Sequence, residues 1–163
     1  MGKNRELSKL VGASGGVYLG GTGAANLLDD VETGSWTPVW SDGTNSDATY
    51  TRQVGRYTKV GEFVHLQGYL SISALNTISG ANLRITGVPF TSANETHLFS
   101  TMYVGWASGL NITAGQSVTG QVGANTAHYF LQLWDGAAGT SPLSATELSD
   151  NGTIIFTASY IAA

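Results

Sequence analysis

The stretch Tyr50–Ala74 constrains this chain more than any other. From residue 62 onward Val64, Leu66, Leu70, Ile72 and Ala74 fall on one side of an extended backbone, and His65, Gln67, Ser71 and Ser73 on the other. A helix would gather its apolar groups three and four residues apart, whereas a period of two describes a strand with one face buried. Val60-Gly61-Glu62 separates this strand from Tyr50-Thr-Arg-Gln-Val-Gly-Arg-Tyr-Thr-Lys59 and reads as a hairpin turn.

The same reading predicts strands at 36–41, 48–53, 55–60, 62–74, 82–87, 97–107, 115–123, 127–135 and 152–162, with no helix between them. Asp42-Gly43, Asp135-Gly136 and Asn151-Gly152 mark the sharpest turns, because glycine accepts a positive φ and Asn or Asp tolerates it. Many short strands with turn signals between them specify an all-β fold, an antiparallel β-sandwich or jelly-roll-like knob. The last strand carries Ile154, Phe156, Ala158 and Tyr160 on one face and Ile155, Thr157, Ser159 and Ile161 on the other. Apolar groups on both faces fit a strand covered by its own sheet on one side and by a neighbouring subunit on the other, which is the expectation, and would also fit a central strand in a thick domain.

The knob is expected to span 27–163, preceded by an arm over 1–26. Residues 3–11 have helical spacing at Leu7, Leu10 and Val11, but a segment this short is marginal alone. Gly12–Gly23 holds six glycines and favours an extended, unpacked path. Leu7, Leu10, Val17, Tyr18 and Leu19 are more apolar than a spacer needs, so the arm is expected to dock onto another protein.

Composition restricts the chemistry. There is no cysteine, which removes disulfides, thiolate metal sites and thiol nucleophiles. Only 11% of residues are charged and the net charge is −4, with nothing basic after Arg84. A nucleic-acid partner needs clustered Lys and Arg, so none is expected. No apolar run approaches the ~20 residues that cross a bilayer, and the first residues lack the apolar stretch of a secretory signal; no membrane partner is expected. The Asn-x-Thr triplets at 94, 111 and 151 are therefore read as chance matches to a glycosylation signal.

His65, His97 and His128 lie about thirty residues apart and show no ligand spacing, so no metal or other cofactor is expected. No Gly-x-Ser-x-Gly elbow occurs, Gly20-Gly-Thr-Gly23 lacks the Lys-Ser/Thr ending of a phosphate loop, and Asp29-Asp30 sits where the knob begins. The expectation is a protein with no catalytic residues. Aromatic groups are better placed for recognition, since they bring large area at small rotamer cost. Trp36, Trp106 and Trp134 read as core or intersubunit residues, and Trp134, at a strand end, is the one to test as surface; with Tyr103 and His128 it forms the receptor-binding candidates.

Three segments in order, Leu28-Asp-Asp-Val-Glu-Thr-Gly-Ser-Trp-Thr-Pro38, Gly55-Arg-Tyr-Thr-Lys-Val-Gly61 and Gly87-Val-Pro-Phe-Thr-Ser92, resemble the distal β domain of short tail or head fibres of tailed bacteriophages. That module opens on a Leu-Asp-Asp-Tyr-Glu-Glu-Gly-Thr-Trp-Thr-Pro pattern, so Val31 and Thr33 are departures here. The resemblance covers about residues 27 to 92. It implies a virion structural protein assembled in the bacterial cytoplasm, homotrimeric through residues such as Ile155, Thr157 and Ile161, and joined to other virion proteins by its arm. With so short an arm, a short tail-fibre-type appendage exposing a knob to host-surface glycan is expected rather than a long fibre. A capsid decoration protein, cement or head fibre, is the alternative.

Overall fold

In the computed structural model, residues 16–19, 27–28, 30–135 and 139–163 are described. Leu7, Leu10, the helix expected over 3–11 and Gly136 lie outside them. Among the described residues the strands are β1 (Val17–Tyr18), β2 (Leu27–Leu28), β3 (Val31–Trp36), β4 (Val39–Ser41), β5 (Thr49–Val60), β6 (Phe63–Ala74), β7 (Arg84–Thr86), β8 (Ser100–Ser108), β9 (Ser117–Val122), β10 (Tyr129–Trp134), β11 (Thr140–Pro142) and β12 (Thr153–Ile161), with one short helix, α1 (Ala145–Leu148). The β1–β2 pair stands apart from one large sheet in the order β3-β5-β6-β12-β8-β9-β10-β7-β4, to which β11 adds along β10. Every pairing is antiparallel. The fold is all-β, as the alternation demands.

The sheet has to curl. β3 and β4 occupy its two opposite edges, yet only Thr37 and Pro38 separate them in sequence, so the edges meet at this point. Proline lacks the N–H that a continuing ladder would use, and the strand breaks there. The expected single strand 36–41 is thus two strands on two layers. Side chains of β5 stitch the crossing: Gln53 Nε2 donates to the Pro38 carbonyl at 2.7 Å, and the Trp40 N–H donates to the Tyr50 hydroxyl at 2.7 Å. Gly87, at φ +82, passes against the Thr37 carbonyl where a Cβ would collide.

Inside the curl, Trp40, Leu66, Leu70, Leu83, Ile85, Leu131 and Leu133 are completely buried. Each such side chain contributes on the order of 1.5–3 kcal/mol relative to exposure. The β5–β6 hairpin turns at Gly61, whose φ of +57 falls at the first of two central positions between the paired Val60 and Phe63. The 48–53 and 55–60 expectations merge into the single β5 through Gly55.

Loops at one end of the sheet are tied by carboxylates. Asp42 accepts from the N–H groups of Thr44, Asn45, Ser79 and Gly80, and Asp150 accepts from the Leu75 N–H at 2.9 Å. The helix α1 departs from the expectation of strands alone. Its start is fixed by Glu147, whose carboxylate accepts from the Ser144 N–H at 2.7 Å, and Ala145 and Leu148 bury its inner side.

Candidate functional site

Several residues of the three motif segments, Trp36, Gly55, Tyr57, Lys59 and Phe90, are builders of the fold. Trp36 is buried, and its indole N–H is shared between the carbonyls of Arg56 at 3.2 Å and Gln67 at 3.3 Å. Its ring covers Gly55, and Gly34 lies beneath the ring of Tyr57. The Tyr57 hydroxyl donates to Glu32 at 2.9 Å; that bond, with burial and the carboxylate's charge, raises its pKa. Phe90 takes the edge of Tyr57 at 5.3 Å and the Lys59 ammonium at 5.5 Å, and its carbonyl accepts the Tyr160 hydroxyl at 2.8 Å. Lys59 also pairs with Asp30. These groups are committed to each other, so any work on a partner falls to other residues.

Those residues lie on the outer face of β5, β6, β12 and β8, opposite the core. Strand register sets them in rows. One row runs Val54, Tyr69, Ile155, Trp106, and the next runs Arg56, Gln67, Thr157, Tyr103. A third holds Thr58, His65 and Ser159, with the His65 Nδ1 3.1 Å from the Ser159 hydroxyl. A fourth, at the hairpin end, is apolar again: Val31, Val60, Phe63, Ile161. Val31 is 58% exposed, Phe63 47%, Ile155 43% and Trp106 51%, values that leave two uncovered apolar bands on either side of a polar one.

Between the first two rows runs an open groove of about 480 Å³, floored by Gly68, Phe156 and Thr157 and walled by Arg56, Tyr69 and Tyr103. A β-bulge in β8, opposite the step from Ile155 to Phe156, leaves Gly105 unpaired and places it on the groove lining. Two smaller depressions of about 290 Å³ each adjoin it, one at His65 and Ser159 and one at Ser117 and Trp134. Tyr103 lines all three depressions.

The structure therefore brings together residues that the sequence assigns to separate tasks. Tyr103 stands directly across from Thr157, and Ile155 lines the same groove, so two residues expected at a trimer interface share a surface with a receptor candidate. Ile161 belongs to the far apolar band. Trp134 is 54% exposed, opposite Ser117 at the edge of this surface. His128 is set apart, its ring edge-on to Phe130 at 4.6 Å; burial first, and then the Arg84 cation, lower its pKa. Val17 and Tyr18 pair with Leu28 and Leu27 as a small ribbon, with Val17 and Leu19 exposed. Gln67 and Tyr69 carry no distinctive signal in the sequence, and Arg56, although inside a motif segment, looks like an ordinary polar position on a half-buried strand. Among the described residues no group of His, Asp and Glu could hold a metal ion.

Neither a protein-family model nor a curated protein matches the chain in sequence. Among solved structures it is similar to the Dettilon tailspike protein (gp208), with a TM-score of 0.68 and 17% identity over 82% of this chain. The likeness, at that identity, is one of fold. It spans 24% of the tailspike's length, so this chain corresponds in architecture to one section of a much longer protein.

Proposed function

We infer that this chain is a module of a bacteriophage tail appendage, a non-enzymatic β knob that assembles as a homotrimer and meets the host surface. The observation that carries this reading is a division of labour within the sheet: Trp36, Gly55, Tyr57 and Phe90 of the motif segments hold it together, while its outer face leaves aromatic and apolar side chains uncovered. The architectural likeness to a section of a tailspike and the fibre-type motifs both point to a virion appendage. The apolar band Val31, Val60, Phe63 and Ile161 gives the knob a surface to hide against its own copies. Three copies then present their faces together, and linked weak contacts gain avidity of about 10²–10⁴ once geometry lets them engage at the same time.

The arm, with Leu7, Leu10, Val17, Tyr18 and Leu19, is the element that joins the knob to the particle. Two measurements test the reading. Light scattering on the purified chain is expected to give the mass of three copies, and the fluorescently labelled protein is expected to coat host cells. A monomer that ignores cells would overturn it. Immunogold labelling is expected on the tail; label on the head shell would replace the appendage with a capsid decoration protein.

A further inference from the structure

We propose that the groove between Arg56 and Tyr103 is a binding site for an anionic saccharide, read through the Arg56 guanidinium and the rings of Tyr69 and Tyr103. This deepens the host-contact reading above and rests on it. Three observations carry it.

The first is charge. The chain is net −4, yet the side chains that β5, β6, β12 and β8 turn outward include Arg52 and Arg56 and no carboxylate. Neither arginine side chain has a hydrogen-bond or ion-pair partner among the described residues. A cationic patch on an acidic protein is a complement to an anion, and a guanidinium takes a carboxylate or phosphate through two parallel bonds. The second is the inventory of free polar groups. The Gln67 amide and the Tyr69 and Tyr103 hydroxyls likewise have no partner among the described residues, and they stand in the row or wall beside Arg56. Amide and hydroxyl groups match the hydroxyl-rich edge of a sugar ring.

The third is shape. Tyr103 is 66% exposed, offering a ring face on which a pyranose can stack. Arg56 and Tyr103 are separated by three inter-strand steps, about 14 Å at the usual spacing, which suits an oligosaccharide better than a single sugar. A second copy of the chain fits this band poorly. The same face of another protomer would bring arginines and no acid to meet them, whereas the band at Phe63 is apolar and uncharged.

The test uses the full chain in its native assembly, titrated calorimetrically with a galacturonate trisaccharide and with its carboxyl-reduced, neutral counterpart. The acidic sugar is expected to bind, to weaken with added salt, and to exceed its neutral counterpart by roughly tenfold, about 1.4 kcal/mol. Arg56→Ala is expected to remove that preference and Tyr103→Ala to weaken both sugars several-fold, with melting temperature and assembly mass unchanged because both side chains are exposed. Equal affinity for the two sugars, or acidic-sugar binding indifferent to Arg56→Ala and Tyr103→Ala, would overturn the assignment. So would equally tight binding of a poly-glutamate peptide, which would make the site a peptide groove, or loss of assembly mass in Arg56→Ala, which would make it an interface. If neither trisaccharide binds while the protein still coats host cells, the groove assignment fails and the appendage reading stands. Binding of the acidic sugar without cell adherence leaves the saccharide site in place and removes the host-contact reading.

Discussion

The ring of Phe156 lies directly on the Cα of Gly68, so close that a Cβ built there would fall inside the ring's van der Waals surface. Gly68 is paired across the sheet with Gly55, and Gly55 is covered in the same manner by Trp36. The two rings meet edge to face at 6.0 Å. Two adjacent glycines thus make a trough across β5 and β6, and two aromatic rings fill it from the core side. The floor of the groove on the opposite face is the underside of this arrangement, since Gly68 and Phe156 both line it.

Gly68→Ala is expected to destabilise the fold by about 1–3 kcal/mol, the cost of forcing a methyl into a filled core. Adding Phe156→Leu should recover part of that loss, because the smaller side chain leaves the methyl room and the two changes are in contact. Urea unfolding midpoints of the two single variants and the double variant check this. Strictly additive losses would mean that the ring does not sit on the glycine.

Tyr129 offers the opposite case. It is completely buried, its hydroxyl has no hydrogen-bond partner among the described residues, and burial, with the Tyr160 phenol beside it, pushes its pKa far above the usual range. A buried polar atom without a partner carries a desolvation penalty of about 1–3 kcal/mol. Tyr129→Phe is therefore expected to hold or raise the melting temperature, checked by calorimetry. A loss of several degrees would show that the hydroxyl is bonded.

Most of the architecture is legible in the sequence because it rests on local alternation. β6 and β12 follow a period of two, and the hairpin at Gly61 uses a common turn. What escapes is decided by partners far away along the chain. The sequence reading ends one strand at 53 and starts another at Gly55, but position 55 is glycine because Trp36 needs the space, and β5 runs through it. Glu32-Thr-Gly-Ser35 shows no alternation and becomes part of a strand through its pairing with β5. α1 is too short for a helical period, and the Ser144-x-x-Glu147 box is its one usable signal. The candidate site is the least legible part: Gln67 and Thr157 are neighbours only through the pairing of β6 with β12, and that register is invisible until the sheet is assembled.

Phe63→Glu is expected to reduce the assembly to a monomer while the knob stays folded. Phe63 sits between Val60 and Ile161 in the outer apolar band and is 47% exposed in the single chain, so a charge there disturbs no core contact. Between copies it would be buried without a partner, at a cost of several kcal/mol per site. Sedimentation together with far-UV circular dichroism checks both halves of the statement. An unchanged mass would move the interface to another surface.

Stability should fall with acid over two pH ranges, because two groups titrate below their unfolded values for different reasons. His128 is lowered by burial and then by Arg84, so the folded state prefers it neutral; that contribution is complete above the ordinary histidine value of about 6.5 and is lost as pH falls through the folded value. Asp42 is held well below the usual carboxylate range by the N–H of Asn45 first and that of Thr44 next, outweighing a smaller opposing effect of desolvation, with Ser79 and the Asn45 amide adding to the lowering. Its contribution is complete above about pH 4 and is lost as pH falls further. Asp42→Asn is expected to lower the melting temperature at pH 7, since an amide accepts those N–H bonds less strongly than a carboxylate, and to flatten the fall below about pH 4. His128→Gln should leave that lower fall intact and flatten only the change that sets in as pH drops below about 6.5. Melting curves measured across roughly pH 3–8 for the three proteins check the assignment, and an Asp42→Asn variant with the wild-type acid profile would remove the carboxylate from the account.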